Sequence, residues 1–207
     1  FVTNNSSRKT NDYRAMLVDH GLWGDNVSVV TSNLVTIDYL KTHLAASRVF
    51  LLGNESLKEE FASAGIEHVA DGAQAVVVGF DTSLVYDNLQ TAHRLVGEGC
   101  PFIATHPDRV CPTKDGGLID CGAIIAALTA STGRAPTVVG KPETPTADYL
   151  KKHVLDGCDR AVMVGDRIDT DGELATKLGV PFVQVQPDVA TAAAGALIEN
   201  ILGLLQG

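Results

Sequence analysis

The sequence is poor in several features that mark particular classes of protein. Aromatic residues make up only 5% of the 207 residues, so aliphatic side chains must fill the core. No apolar run approaches the ~20 residues that a transmembrane helix needs. The four cysteines include no CxxC pair and no secreted disulfide pattern, which argues against a zinc site and favours a reduced, cytoplasmic protein. What is present is 45% apolar residues, enough for a sizeable core.

Positive charge is also scarce. The chain has 16 Lys and Arg against 25 Asp and Glu, a formal net charge of −9. Such an acidic chain argues against nucleic acid or an anionic membrane as the main partner. It does not exclude an anionic small molecule, because local groups or a metal ion can reverse the field inside a pocket. A generic nucleotide-binding protein is disfavoured, because no GxGxxG or Walker loop is present.

Short apolar runs alternate with amphipathic stretches along most of the chain. The runs predict strands over residues 49–52, 75–80, 102–105, 137–139, 161–164 and 182–185. Helices are predicted over residues 56–64, 84–96, 124–129, 149–154 and 173–178. Ser56 and Glu59 match a capping box at the start of the first of these helices. Strands that are apolar on both faces and separated by helices predict an α/β fold with a covered parallel sheet.

The polar clusters at strand ends are unevenly distributed. They occur in residues 1–30 and 134–207, whereas residues 31–133 form a self-contained α/β stretch without them, apart from one loop. We therefore expect a discontinuous core domain, formed by 1–30 and 134–207, with an inserted domain at 31–133.

The first polar cluster follows Phe1 and Val2, which look like the end of a strand. It consists of Thr3, Asn4 and Asn5, followed by two serines. These uncharged donors suit phosphate oxygens. The alternative is a polar turn that caps the next helix.

Two further clusters lie after predicted strands, where ligands bind in open parallel sheets. Lys141, in a Gly-Lys-Pro turn, could balance the charge that builds during phosphoryl transfer; the alternative is a solvated surface lysine. Asp166, Asp169 and Asp171 follow the strand at 161–164, and clustered carboxylates bind a hard cation such as Mg²⁺. For this cluster the alternatives are a capping box formed by Thr170 with Glu173, and a solvated Asp169.

Taken in order, TNN, GKP and GDRIDTD resemble motifs two, three and four of the haloacid dehalogenase superfamily. FVTNNSSR, GKPETP and VGDRIDTD, with ATHPDRVCPT followed by DCGAI, resemble subfamily IIA, the NagD, 4-nitrophenylphosphatase and phosphoglycolate phosphatase group. The resemblance covers essentially the whole chain. Each motif alone is weak, but their order and their positions after strands are specific. Thr3 and Lys141 are 138 positions apart, which leaves room for the large type-2 cap of this group.

The resemblance implies a Rossmann-like parallel-sheet core with an inserted α/β type-2 (C2) cap. It also implies Mg²⁺-dependent hydrolysis of a small phosphorylated metabolite through an aspartyl-phosphate, such as a sugar phosphate, phosphoglycolate or a nucleotide. Thr3 would hydrogen-bond the phosphoryl group, and Asn4 and Asn5 would support that phosphate-binding loop. Lys141 would hold the phosphate and the nucleophile together.

The same resemblance assigns the metal and the substrate contacts. Asp166 would be a Mg²⁺ ligand, and Asp171 would orient the metal's waters or Lys141 from a second shell. In the cap, the contacts would come from the polar loop at 105–120, where the alternative is a surface hairpin with turn residues at 115–117. The residues of this loop that we consider for substrate contact are His106, Asp108, Arg109 and Cys111. Caps in this family often mediate dimers, so a homodimer through the cap is a further expectation.

Motif one of the family, an apolar strand ending in DxDG, is not found. It supplies the nucleophilic aspartate, and Asp169-Thr170-Asp171 belongs to motif four instead. The chain also begins with Phe1 rather than Met. We therefore expect a fragment that lacks the first core strand and is inactive alone, within a complete protein that is a phosphatase. The alternative is a non-catalytic phosphate-binding or regulatory module; a coding sequence that starts near Phe1, with no DxDG upstream, would favour it.

Overall fold

Short strands and helices alternate along the computed structural model, which describes residues 1–113 and 115–185. Two compact units are present, one spanning Phe1–Gly140 and a second beginning at Lys141. The first unit contains, in chain order, β1 (Val2–Thr3), α1 (Thr10–Asp19), β2 (Val30–Thr31), α2 (Ser32–His43), β3 (Arg48–Leu52), α3 (Glu55–Ser63), β4 (Glu67–His68), β5 (Ala75–Val78), α4 (Tyr86–Gly97), β6 (Phe102–Ala104), β7 (Val110–Thr113), β8 (Gly116–Ile119), α5 (Cys121–Thr132) and β9 (Thr137–Val138). The second contains α6 (Thr144–His153), β10 (Met163–Gly165), a π-helical turn (Ile168–Gly172), α7 (Glu173–Leu178) and β11 (Phe182–Gln184).

The main sheet of the first unit has five parallel strands in the order β4-β3-β5-β6-β9. Its register pairs Val49 with Ala75 and Val76 with Phe102. All four residues of β5 are fully buried. This burial follows from the unbroken Ala-Val-Val-Val sequence, because a central parallel strand is covered by helices on both faces. The predicted α/β fold with a parallel sheet is confirmed.

Helices α4 and α5 cover one face of this sheet. Their buried side chains include Leu95, Ile124 and Leu128, which belong to one apolar cluster with Phe50 and Val76. Because aromatic residues are few, aliphatic side chains supply most of this core. Each fully buried Leu or Ile contributes roughly 1.5–3 kcal/mol relative to an exposed position.

Shorter pairings complete the described strands. In the first unit, β1 pairs with β2 in parallel, with Thr3 opposite Thr31. Strands β7 and β8 form an antiparallel hairpin, as the alternative interpretation of loop 105–120 expected. In the second unit, β10 pairs with β11 in parallel. Within the described part of the chain, no helix has both the length and the apolar character needed to cross a membrane.

Strand β9 bears on the predicted domain boundaries. It lies within residues 134–207, which the sequence assigns to the core domain, yet it pairs with β6 of the predicted insert. The compact units meet slightly later in the chain, between Gly140 and Lys141. The discontinuous core and the insert at 31–133 stay predictions, and the part of the predicted core beyond residue 185 lies outside the described residues.

Candidate active site

The loop after β1 is folded by its own side chains. The Asn5 N–H donates to Thr3 Oγ1 at 3.2 Å, and the Ser7 N–H donates to Asn5 Oδ1 at 2.8 Å. Such bonds let short polar side chains fix a turn without a regular backbone ladder. The Asn4 carbonyl accepts a bond of 2.7 Å from Ser32 Oγ, at the start of α2. The residues predicted to bind phosphate therefore sit in a defined turn. The alternative of a polar turn that caps the next helix holds only in part, because the N-cap residue of α1 is Lys9.

A second polar loop follows β6 and meets the first. Asn4 Nδ2 donates to Asp108 Oδ2 at 3.1 Å, and Ser6 Oγ lies 3.1 Å from His106 Nε2. His106 Nδ1 lies 3.4 Å from the same Asp108 Oδ2. These three contacts connect four side chains in a row, two from each loop, which we call the polar bracket: Asn4, Asp108, His106 and Ser6.

The start of α5 lies beside the polar bracket. Asp120 Oδ1 accepts from the Cys121 N–H at 2.6 Å and lies 3.6 Å from His106 Nε2. Burial raises the pKa of the Asp120 carboxyl above its usual value, and His106 and the Cys121 N–H offset part of that shift. Burial also raises the pKa of the fully buried Cys121 to about 12, so this thiol stays protonated and is not a nucleophile.

In the second unit, the predicted lysine is held by a predicted carboxylate. Lys141 Nζ lies 2.6 Å from Asp171 Oδ1, and the side chains are only 12% and 6% exposed. Asp171 Oδ2 accepts from the Arg167 N–H at 3.3 Å. A side chain at Gly165 would collide with Asp171, so the glycine before Asp166 leaves the space that this carboxylate occupies. Lys141 is thus not the solvated surface lysine of the alternative interpretation.

The two other carboxylates of this segment differ in their partners. Asp169 is exposed and forms a two-point ion pair with Arg167, at 3.1 Å from Nε and 2.9 Å from Nη2. Asp166 follows β10 directly and is exposed. Its side chain makes no hydrogen bond or ion pair within the described residues, while its carbonyl accepts from Gln184 Nε2 at 3.1 Å.

The carboxylates of this segment suit a hydrated Mg²⁺ ion better than an ion whose ligands all come from the protein. No group of three or more His, Cys, Asp or Glu side chains among residues 1–113 and 115–185 could hold a metal on its own. Mg²⁺ retains several waters and takes one or two carboxylates together with substrate phosphate. The exposed Asp166 carboxylate, which has no partner in the described part of the chain, can serve as such a ligand.

The remaining predicted cap residues, Arg109 and Cys111, are not members of the polar bracket. Arg109 is exposed, and its carbonyl accepts from the Asp120 N–H at 3.1 Å. Cys111 lies in β7, and partial burial, together with the nearby carboxylates, raises the pKa of its thiol. Substrate contact by any of the four cap residues stays a prediction.

Two residues of this region were not singled out from the sequence. Ser6 stands within the first polar cluster, but nothing in its spacing indicates a partner 100 residues away. Asp120 could have been recognised as a helix N-cap, because it directly precedes the apolar start of α5.

Comparison with known proteins agrees with this geometry. Residues 1–67 match the family model described as haloacid dehalogenase-like hydrolase, and residues 138–200 match a related HAD-hydrolase-like model. An acid sugar phosphatase from Staphylococcus haemolyticus is 35% identical over 193 residues, covering 92% of this chain and 73% of that protein.

Solved structures give the same result. A 4-nitrophenylphosphatase from Thermotoga maritima superposes with a TM-score of 0.83 at 37% identity, covering 94% of this chain and 75% of that one. A glycerol phosphate phosphatase from Mycobacterium tuberculosis, solved in complex with calcium, has a TM-score of 0.79 at 35% identity, with coverages of 93% and 58%. The chain belongs to the haloacid dehalogenase superfamily, in its subfamily IIA of NagD- and 4-nitrophenylphosphatase-type proteins. Its relatives support a phosphatase.

Proposed function

We propose that the protein containing these residues is a Mg²⁺-dependent phosphomonoesterase acting on a small phosphorylated metabolite through an aspartyl-phosphate. The observation that carries the proposal is that segment 141–171 contains both a buried lysine held by a carboxylate and an exposed carboxylate suited to a metal ion. The buried Lys141–Asp171 ion pair fixes a positive charge, and Asp166, directly after β10, offers a carboxylate that has no partner among residues 1–113 and 115–185. A sugar phosphate is the substrate class favoured by the acid sugar phosphatase relative.

The side chains of this chain have separable roles in the proposed reaction. Thr3 Oγ1 accepts from the Asn5 N–H, so its own hydroxyl hydrogen can be donated to a phosphoryl oxygen. Lys141 brings a positive charge that is oriented by Asp171. Asp166 would hold Mg²⁺, which neutralises the charge on phosphate and on the attacking carboxylate when bound.

The proposal assigns the attacking aspartate to a segment other than residues 1–207. The letters DxDG do occur at Asp169–Gly172, but this segment resembles motif four and its geometry does not suit a nucleophile. Asp169 is paired with Arg167, and Asp171 is buried against Lys141. We therefore expect no turnover by residues 1–207 alone and turnover by the full-length gene product. A reducing, cytoplasmic location belongs to the same proposal, since all four cysteines are free thiols.

Hydrolysis of 4-nitrophenyl phosphate by the full-length gene product, with Mg²⁺ and with a chelator, tests the proposal. We expect Mg²⁺-dependent release of 4-nitrophenol. Asp166→Asn should lower kcat/KM by about 100-fold or more, the order of loss when a charge-stabilising group leaves a reacting site. Asp169→Asn is the matched control, because this exposed carboxylate is already paired with Arg167, and it should stay within about threefold of wild type.

Two outcomes contradict the proposal in different ways. Full activity of Asp166→Asn removes the metal-ligand assignment. Phosphate binding by the full-length protein without any turnover identifies a non-catalytic phosphate-binding module instead.

A further inference from the structure

His106 occupies an unusual position for a residue expected to contact substrate. Its side chain is 1% exposed, and its Nδ1 is buried without a hydrogen-bond partner within the described residues. A buried polar atom that lacks a partner costs about 1–3 kcal/mol, so a specific arrangement must compensate for it. The polar bracket places the Asp108 carboxylate 3.4 Å from this atom, which offsets part of the cost.

Ser6 and Asp108 contact the two different nitrogens of the His106 ring. Ser6 Oγ accepts a bond of 2.8 Å from the Phe80 N–H, at the end of the segment that follows β5. The same oxygen lies 3.1 Å from His106 Nε2, and the hydroxyl can donate to this nitrogen or accept from it, according to the imidazole tautomer. The other ring nitrogen, Nδ1, faces Asp108 Oδ2 at 3.4 Å. Asp108 also accepts from Asn4, so both ends of the chain of contacts return to the loop after β1.

Gly140 shows how closely this region is packed. A Cβ atom there would lie 2.7 Å from Asn4 Oδ1 and 2.9 Å from His106 Cβ, and closer still to the Thr105 carbonyl oxygen. The backbone just before Lys141 thus fits between the two loops that the bracket joins. A shift of either loop would displace it.

We propose that His106 is a positioning residue, which fixes the phosphate-binding loop 3–7 against the loop 105–108 through Ser6 and Asp108. Its imidazole contacts both Ser6 and Asp108. Because the ring is buried, it does not contact substrate directly. The inference rests on the proposed function, in that loop 3–7 is taken to bind phosphate. A change at His106 should therefore alter the affinity for the phosphoryl group and not the affinity for the remainder of the substrate.

Two conservative variants distinguish the contact with Ser6 from the contact with Asp108. His106→Gln places an amide near the position of Nε2 and can keep the contact with Ser6. His106→Asn places an amide near the position of Nδ1 and can keep the contact with Asp108. His106→Ala removes both, and it should raise both KM and the inhibition constant of inorganic phosphate about tenfold, the effect of losing one to two net hydrogen bonds, with kcat changed less than threefold.

A surface histidine provides the matched control. His93 Nδ1 lies 3.0 Å from Ser131 Oγ, a similar His–Ser contact that is exposed and lies between α4 and α5. His93→Ala should leave KM and the phosphate inhibition constant unchanged. Gln and Asn at position 106 should each recover part of the loss, which a merely structural role would not produce.

Failure of this inference can be distinguished from failure of the proposed function. It is overturned if His106→Ala keeps wild-type phosphate inhibition, even when the variant is less stable. If the wild-type protein releases no phosphate, the readout becomes urea unfolding of Ser6→Ala, His106→Ala and the double variant. Non-additive losses then support the bracket, and additive losses overturn it. Should His106→Ala not fold, His106→Gln and His106→Asn take its place in both assays.

Discussion

The two polar regions of this protein are stabilised by different interactions. In the first unit, the polar bracket joins two loops through hydrogen bonds among mostly buried side chains, with Asp108 as its one carboxylate. In the second unit, segment 165–171 is dominated by charge, with one buried ion pair at Lys141–Asp171 and one exposed pair at Arg167–Asp169. A hydrogen bond between neutral groups contributes about 1 kcal/mol and one to a charged group, such as Asp108, about 1.5–3 kcal/mol, whereas removing one partner of a buried ion pair costs about 3–5 kcal/mol.

The two regions would contribute differently to the proposed function. The bracket would hold the loop after β1 in place, because its contacts tie that loop to the loop after β6. The charged segment would supply electrostatic stabilisation, and Asp166 is its one carboxylate that has no partner in the described structure. Three sets of variants test whether the two regions differ in their contribution to the free energy of unfolding.

The largest expected effect is in the second unit. Asp171→Asn leaves the Lys141 ammonium without the carboxylate that lies 2.6 Å away, and it should lower the free energy of unfolding by about 3–5 kcal/mol. Asp169→Asn, whose carboxylate is 69% exposed, should cost less than about 1 kcal/mol. Urea unfolding of both variants measures the two values. Equal losses would remove the distinction between the buried and the exposed pair.

An intermediate effect is expected where Gly140 enters the bracket. Gly140→Ala places a methyl group against Asn4, Thr105 and His106, and it should destabilise the first unit by about 1–3 kcal/mol through overpacking. The control is Gly97→Ala at the end of α4, where the added carbon has no atom within 4 Å apart from its chain neighbours and the backbone of its own helix. Since alanine is the better helix former, this control should be neutral or stabilising by up to about 1 kcal/mol. A thermal shift that is the same for both variants contradicts the close packing at Gly140.

The smallest effect is a pH dependence at Asp120. Burial raises the pKa of this carboxyl in the folded state, so folding is favoured while the group is protonated and loses that advantage as pH rises through the raised pKa. Asparagine keeps the cap on the Cys121 N–H and carries no charge. Asp120→Asn should therefore gain stability relative to wild type as pH rises from about 4 to 7.

Unfolding measured at several pH values between 4 and 8 checks this sign. The exposed Asp25, replaced by Asn, serves as the comparison and should show a smaller change across the same range. A difference between Asp120→Asn and wild type that narrows with rising pH contradicts the assignment.

The apolar patterns predicted the elements of the sheet well. Strand β5 begins at the predicted Ala75, and helix α7 coincides with the predicted 173–178, because both are determined by local burial and spacing. The capping box at Ser56 was wrong. Helix α3 begins one residue earlier after Asn54, whose side chain accepts from Thr82 instead of capping the helix. The Thr82 N–H that occupies the Asn54 side chain lies 28 residues away, so a local sequence pattern does not reveal it.

The other capping box, Thr170 with Glu173, also did not form. The chain at Ile168–Gly172 makes a π-helical turn that continues directly into α7, so Thr170 is buried within a turn and not placed at a helix start. In the candidate site, order and position after strands indicated Lys141 and Asp171 as chemically important. The resemblance implied that Asp171 orients the metal's waters or Lys141, and the structure contains its contact with Lys141. The polar bracket depends on contacts about 100 residues apart, which follow only from the folded chain.

The wide sequence separation within the bracket also bears on how the protein folds. Ser6 and His106 close a loop of 100 residues, and the strands β3, β5 and β6 lie inside it. The entropy of closing a flexible loop grows only with the logarithm of its length, but contacts of high sequence separation still form slowly. We therefore expect the bracket to form after these strands have paired. The turn that would recognise phosphate is then completed late in folding, by a part of the chain that the ribosome makes about 100 residues after Ser6.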